Sequence, residues 1–543
     1  MIYSGGTRVA DLTVVQHLNR QKSVIKLKSE SVTQRRRHPI LRVVLLVFLV
    51  VFGLLLVERW RGQWALSRWK HRMAAKGEIF EANRIWPRPS AQSLVFSNEL
   101  QRAVGQLPPG LSRFAGQISA IVVQEPGIAR RGSQEPSPSL VSPANEGNTW
   151  EELELEVRHA EPSLQLLRRI LRDPPADRGY EILPRLESLT IPNFVSSRRA
   201  AQALQAAVMF NLHEGDLEGA KNNLVALARF TKLYAADPDL VNHMIRIAIL
   251  GLSTEVAWDA LQADGWTDEQ LAELQEAFQC DPLLAQMPRT LEAQRASRLF
   301  ELNWLSSHSY LAWVGRYRSF YEALGHKIQN ADDPVALVTR YFREWVFHPV
   351  WKFAWADQEE LEYLKNAHRE LDILREAAKT GSGHELSQRM DSCLKAYRPP
   401  AACWRFYLIV PWADQSSEGF GAFRDKREYP YANFTRAWST SMKNLTLCHL
   451  MTTAICLKRY ELRHGKPPAS LGALVPDLVA EVPRDFMDGQ LLRYKVRPDG
   501  TYCLYSVADD AQDDHGTPTP PADGDQPPST WGGRDWVWPR AVH

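Results

Sequence analysis

The sequence has few of the features that identify an enzyme or a metalloprotein. No P-loop, GxSxG nucleophile elbow, HExxH zinc helix or dinucleotide-binding fingerprint occurs in its 543 residues. The six cysteines form no CxxC pair, which disfavours zinc-ribbon and thioredoxin-like sites. We interpret them as small buried side chains, although disulfides are permitted. The formal net charge of +2 gives no reason to expect nucleic acid as a partner.

Hydrophobic residues, in contrast, are plentiful, and one continuous run lies near the N-terminus. Val43–Val57 are 15 consecutive apolar residues, a helix of about 22 Å that needs flanking residues to match the roughly 30 Å hydrocarbon core. Arginines lie on both sides, and no small-x-small cleavage site follows. We therefore expect a transmembrane anchor over residues 39–60. A cleaved signal peptide and a buried core helix are the alternatives.

The segment before the anchor, residues 1–38, is a basic tail. Nine lysines and arginines occur up to and including Arg42, against two acidic residues, Asp11 and Glu30. A short basic tail inside the cell and a long body outside is the usual arrangement for such an anchor. We expect a single-pass protein of the cell inner membrane, in contact with membrane lipid through residues 39–60, whose large C-terminal part lies outside the cytoplasm.

The body is predicted to be mainly helical. Residues 61–149 are expected to form a juxtamembrane helix and a linker, because the stretch 124–149 is rich in Pro, Ser and Gly without periodicity. Helical periodicity dominates residues 150–430, with a helical hairpin at 197–235 and an apolar, buried helix at Leu240–Leu261. The acidic residues around Asp357–Glu362 indicate a solvated helix start.

The C-terminal region changes its period. A last long helix ends at His464–Gly465, and two strands at 491–496 and 501–507 flank a Pro-Asp-Gly turn. Residues 517–543 form an acidic, proline-rich tail in which Trp536–Trp538 are a candidate closing strand. The predicted fold class is mainly α: one transmembrane helix, a helical-hairpin body and a small C-terminal α+β module with antiparallel strands.

Residues 431–516 resemble the C-terminal region of the major pseudopilin of type II secretion. The resemblance is carried by Tyr460, His464–Pro468, Leu471, Leu474–Pro476, Val482–Pro483, Asp485, Asp488–Gly489, Tyr494 and Leu504–Val507. The whole chain resembles a group of bacterial membrane-anchored proteins whose activity is uncharacterised. They share an anchor, a tryptophan followed by a Lys-Gly-Glu motif (here Trp69 and Lys76–Glu78), a helical middle and this module. The resemblance implies an architecture and no activity.

In the pseudopilin-like family the loops beside the sheet hold calcium. The resemblance therefore makes Asp485, Asp488, Asp509 and Asp510 candidate calcium ligands, although Ala508 stands where the family has glycine and acidic loops are also simply soluble. No other cofactor is expected.

Two functions remain from the sequence: an extracytoplasmic interaction or scaffold protein with envelope protein partners, or an envelope hydrolase with an unrecognised active site. Titratable groups converging in one deep pocket would favour the hydrolase, and a broad groove lined by helix faces would favour the scaffold.

Overall fold

The computed structural model describes most of the chain between residues 10 and 539. Outside the description lie residues 1–9, 87, 115–120, 126–127, 132–149, 178–194, 280–282, 324–337, 339–340, 381–387, 391, 393–430, 518–533 and 540–543. The described chain is mainly helical and carries a small three-stranded antiparallel sheet. The predicted fold class is confirmed at this level.

The helices and strands are numbered here in chain order. The helices are α1 (Ala10–Ala74), α2 (Ala82–Ile85), α3 (Ala91–Gly105), α4 (Trp150–Ile170), α5 (Val195–Glu214), α6 (Leu217–Phe230), α7 (Leu240–Ala260), α8 (Asp268–Ala277), α9 (Leu283–Ser307), α10 (Tyr310–Ala323), α11 (His348–Ala354, after a π-turn at Arg343–Phe347), α12 (Ala356–Thr380) and α13 (Tyr431–His464). The strands are β1 (Ile121–Glu125), β2 (Ile128–Arg131), β3 (Arg493–Val496), β4 (Tyr502–Ser506) and β5 (Trp536–Trp538).

Helix α1 contains the apolar run and extends well beyond it. Its portion from Ile40 onward is long and apolar enough to cross a membrane, and none of its most apolar 18-residue window is buried in the protein. Residues 58–74 continue the same helix, so the predicted juxtamembrane helix extends the anchor. This single N-terminal helix therefore fits one membrane span.

Helix α7 also satisfies the length and composition of a span, but it belongs to the core. Of its most apolar window, 56% is buried inside the protein. Ile247 is fully buried, which confirms the predicted burial of this helix. An apolar helix that is covered by other helices has no need of lipid.

Two predicted local signals in the helical middle are confirmed. Gly215 has a φ of 78° in the turn between α5 and α6, and Asp216 caps α6 by accepting from the Gly219 amide over 2.9 Å. Thr267 and Gln270 form a capping box at the start of α8. Helices α3 to α8 share one large core with α13.

The C-terminal sheet has the order β3-β4-β5 and is antiparallel throughout. Tyr505 pairs with Arg493 on one side and with Val537 on the other, so the predicted strands and the closing strand form one sheet. Trp538 packs edge-to-face on Trp258 of α7, with ring centroids 4.5 Å apart. The module therefore rests on the core of the body.

One prediction is wrong at the start of the linker. Strands β1 and β2 form an antiparallel pair where the stretch 124–149 was expected to begin as a loop. The β-branched residues Ile121, Val122 and Val123 just before that stretch favour extended backbone, which the proline and glycine composition obscured. The rest of the predicted linker, 132–149, lies outside the described residues.

Candidate functional site at the junction of anchor helix and body

The chain leaves the anchor helix through the Lys-Gly-Glu motif. Gly77 has a φ of 90°, a left-handed conformation that costs a residue with a Cβ roughly 1–2 kcal/mol. The Glu78 amide donates to the Met73 carbonyl over 3.1 Å, which closes the end of α1. The motif therefore turns the backbone so that Glu78 lies against the body instead of continuing the helix.

Glu78 is the centre of a buried ion network, called the junction below. Its side chain is 5% exposed, and it accepts from Arg295 over 2.8 Å and from Arg375 over 2.5 Å. The Arg295 side chain is fully buried. Burial favours the neutral carboxyl, but the hydrogen bonds and charges of the two arginines outweigh it, so the pKa of Glu78 lies below its usual value.

The junction joins three helices. Arg375 of α12 also pairs with Glu292 of α9 over 2.6 Å. Arg295 donates to the Ile79 carbonyl over 2.8 Å, and its guanidinium lies 4.8 Å from the centre of the Phe80 ring. Removing one partner from such a buried pair leaves an unpaired charge, which typically costs about 3–5 kcal/mol. The end of α1 is thereby fixed to α9 and α12.

A second set of contacts continues along the polar part of α1. Gln358 donates to the Glu58 carbonyl over 2.9 Å, and Lys70 forms an ion pair with Glu360. At Gly62 an added Cβ would lie 3.0 Å from Cγ of Gln358, so the missing side chain lets α1 and α12 approach closely. Helix α1 is therefore built into the body along its polar length.

These contacts correct the interpretation of the acidic start of α12. Glu360 is buried against Lys70, and Glu359 accepts from the Trp351 indole over 2.9 Å. The predicted solvated face is wrong at these two positions, because Lys70 of α1 covers Glu360 and Trp351 of α11 covers Glu359. Glu362, paired with Lys365, is a surface ion pair of the expected kind.

Two neighbouring grooves lie between α1 and the body. One, of about 680 Å³, is lined mainly by α1 and α9, and the next, of about 480 Å³, reaches α11. Gln63, Asn303 and Asp357 line both. Helix faces form these walls, which is the broad geometry expected for an interaction surface.

A third groove, of about 360 Å³, is lined by four arginines: Arg168, Arg169, Arg172 and Arg229. Arg168 already pairs with Glu161, and Arg169 with Glu99. All four lie near the C-terminal ends of α4 or α6, where cations offset the helix dipole. Their placement is accounted for by the fold.

The candidate calcium ligands fall into two groups. Asp485 is buried and accepts from Arg493 over 2.9 Å and from the Val507 amide over 3.0 Å, while Asp488 pairs with the same guanidinium. Asp509 instead pairs with Lys443 over 3.6 Å. The carboxylate of Asp510 accepts from the Gln512 amide. Arg493 thus supplies a positive charge between Asp485 and Asp488.

No group of three or more His, Cys, Asp or Glu residues arranged for a metal ion occurs in the described part of the chain. Burial alone would lower the pKa of Arg493, but the pairing with Asp488 and the charge of Asp485 outweigh that effect. The pKa of Arg493 therefore lies above its usual value, and the guanidinium stays charged. The calcium site therefore rests on the family resemblance alone.

A serine–histidine pair bears on the hydrolase alternative. His243 Nε2 lies 3.3 Å from Ser441 Oγ, but both side chains are buried and Ser441 donates its own proton to the Ala437 carbonyl over 2.6 Å. Burial and the charge of Arg246 lower the pKa of His243 to about 3. A nucleophile needs substrate access and a base that accepts its proton. This pair has the geometry of a core hydrogen bond.

The cysteines differ from the simplest expectation. Cys448 in α13 is disulfide-bonded, whereas Cys456 and Cys503 are free and buried. Burial raises the pKa of the Cys456 thiol to about 12, which keeps it protonated and unreactive. The interpretation as small buried side chains fits the two free cysteines and is wrong for Cys448.

Sequence reasoning singled out Glu78 through its motif but missed its partners. A signal was present: Arg295 lies four residues from both Leu291 and Leu299, on the stripe that α9 buries. A charge on a buried stripe predicts a buried counter-charge, although not which one. No family model, curated protein or solved structure matches this chain. The functional argument therefore rests on the chain's own residues.

Proposed function

We propose that this chain is a single-pass inner-membrane protein with a cytoplasmic basic tail and an extracytoplasmic helical-hairpin body that acts as an interaction scaffold of the cell envelope. The observation that carries the proposal is the division of α1. Its polar part is held by Glu58, Lys70 and the turn to Glu78, whereas no residue of its most apolar window is buried by protein. Lipid is the environment that such a bare apolar helix requires.

The disulfide at Cys448 supports the orientation. Disulfides persist in oxidising compartments and are rare in the cytosol. The basic tail supports the same direction. The order of a long helix followed by a small antiparallel sheet supports the proposed relationship of residues 431–516 to the pseudopilin C-terminal region.

Topology can be tested with a reporter that is active only after export. Fused after His543 it should be active, and fused before Met1 it should be inactive. The opposite pair of results would overturn the orientation.

The scaffold role can be tested at the grooves. A photo-crosslinking residue at Asn303, which is exposed and lines both grooves, should give discrete adducts in intact cells. The same residue at Leu155, which is exposed on α4, is the matched control and should give none. Equal labelling at both positions, or none at Asn303, would count against an interaction surface at the grooves.

A further inference from the structure

A set of large apolar side chains is exposed in the segment that leads into α11. The set, called the aromatic face, comprises Val338, Tyr341, Phe342, Trp345 and Val346. Trp345 is 73% exposed and Val338 is 70% exposed. Tyr341, Phe342, Trp345 and Val346 are spaced three to five residues apart around the π-turn, and their exposed fractions place them on the outer side of the segment. Such a contiguous exposed apolar face marks a binding surface or a membrane contact.

The opposite side of the same segment is packed. His348 lies with Nε2 3.1 Å from the Leu305 carbonyl, and Phe347 and Trp351 join a small core with Tyr310 and Trp313. Glu344 accepts from the Leu311 amide over 2.8 Å at the start of α10. The segment therefore has a fixed inner side, and the aromatic face is its outer side.

Helix α11 touches the apolar part of the anchor. Phe353 stacks on Phe52, with ring centroids 6.0 Å apart, and Arg59 donates to the Phe353 carbonyl over 3.1 Å. Phe52 lies five residues before the end of the apolar run at Val57, or about 7.5 Å along the helix. The segment that carries the aromatic face therefore ends at the depth of the membrane boundary.

The helices on either side place the whole segment at the membrane end of the body. Within α9, Arg295 lies beside Glu78. Ser306, three turns further on, lines a groove together with Arg59, so this end of α9 is nearer the apolar run. Helix α12 runs in the opposite direction: Gln358 near its start lies beside Glu58, and Arg375 near its end lies beside Glu78. The described residues between these two helices, 308–323, 338 and 341–355, therefore lie at the end of the body from which the apolar run emerges.

We propose that the aromatic face is a second membrane contact, seated in the headgroup and upper acyl region of the leaflet in which the anchor ends. Tryptophan and tyrosine favour this region, because their rings are apolar and carry a polar atom. An apolar face whose other side is polar or packed can lie in the interface plane. Lys352 on α11 is exposed and directly precedes Phe353, so the proposed contact would bring its positive charge towards lipid phosphate.

This contact rests on the proposed membrane anchor and determines how the body is held. With one helix alone, the anchor and the body fixed to it could tilt together in the membrane. A second contact through the aromatic face, beside α11, would hold the membrane end of the body against the bilayer. The opposite end of the body would then point away from the bilayer.

The test measures the depth of spin labels in the full chain. Labels are attached to Trp345→Cys, to Phe48→Cys within the apolar run, and to Leu155→Cys, whose native side chain is 69% exposed on α4. The protein is reconstituted in vesicles of phosphatidylethanolamine and phosphatidylglycerol. Collisions with oxygen, which concentrates in lipid, are compared with collisions with a water-soluble nickel chelate. Protein without an introduced cysteine gives the background.

The expected result is that position 345 resembles position 48, with frequent oxygen collisions and protection from the nickel chelate, while position 155 shows the reverse. A label at 345 that is as open to nickel as position 155 would overturn the membrane contact. So would a label shielded from both reagents, because it would show a protein partner covering the face. Failure at position 48 would instead refute the anchor itself. A Val338→Cys label serves as a second probe of the same face.

Discussion

Arg295 donates a hydrogen bond to Glu78 over 2.8 Å, joining residues 217 positions apart in a site where the arginine side chain has no exposure to solvent. Glu78 lies four residues after the end of α1, and Arg295 lies in the middle of α9. The pair therefore links the end of α1 to α9, one of the helices that line the grooves. Because both groups are buried, each depends on the other for its charge to be tolerated.

Substituting Glu78 by Gln should destabilise the protein by about 3–5 kcal/mol, because Arg295 would keep its charge without a carboxylate. The measurement is the free energy of unfolding of the full chain in detergent, followed by tryptophan fluorescence. Glu81→Gln is the matched control, since Glu81 forms an exposed pair with Arg84, and it should cost about 1 kcal/mol or less.

The double variant Glu78→Gln with Arg295→Met should lose less unfolding free energy than the sum of the losses in the two single variants, because the unpaired charge of Arg295 is then gone. If Glu78→Gln costs no more than Glu81→Gln, the junction does not hold the anchor to the body.

Stability should fall as the pH rises from about 4 to 6 because of Asp535. Burial, with the nearby charges of Asp513 and Asp514, raises the pKa of Asp535 to about 6. The unfolded chain releases this proton near pH 4, so the folded state binds more protons between the two values. The stabilising effect of the proton is complete below pH 4 and is lost above pH 6.

Asp535→Asn should remove this part of the pH dependence and stabilise the protein at pH 7 by about 1–3 kcal/mol. Urea unfolding from pH 4 to pH 8 measures it, with Asp477→Asn at an exposed carboxyl as the control. An Asp535→Asn variant with the same pH slope as the unchanged protein would show that another group titrates.

Calcium should leave the melting temperature unchanged, because Arg493 already supplies positive charge to Asp485 and Asp488. Asp488→Ala should lower the melting temperature equally in calcium and in chelator, since it removes one arm of an ion pair. A calcium-dependent rise that disappears in Asp488→Ala would instead establish the ion site that the family resemblance implies.

The features that the sequence predicts are those encoded locally. The apolar run Val43–Val57, the burial of α7 and the capping box at Thr267 depend on neighbouring residues and are present in the structure. The contacts between distant segments were not predictable in the same way. Glu360 looks like any acidic residue at a helix start until Lys70 is placed beside it, and Asp485 gives no local sign that the Val507 amide donates to it.

The central claim is that α1 crosses a membrane and stays attached to the body. Alkaline carbonate extraction of membranes tests it most directly, on the full chain and on a variant with Val50→Arg and Leu54→Arg. Each arginine costs roughly 2.5–3.5 kcal/mol at the centre of a span. The account predicts that the unchanged chain stays in the membrane pellet with its N-terminal tail intact and that the variant is released. Recovery of the unchanged chain in the soluble fraction, or of a soluble chain beginning after residue 57, would contradict it.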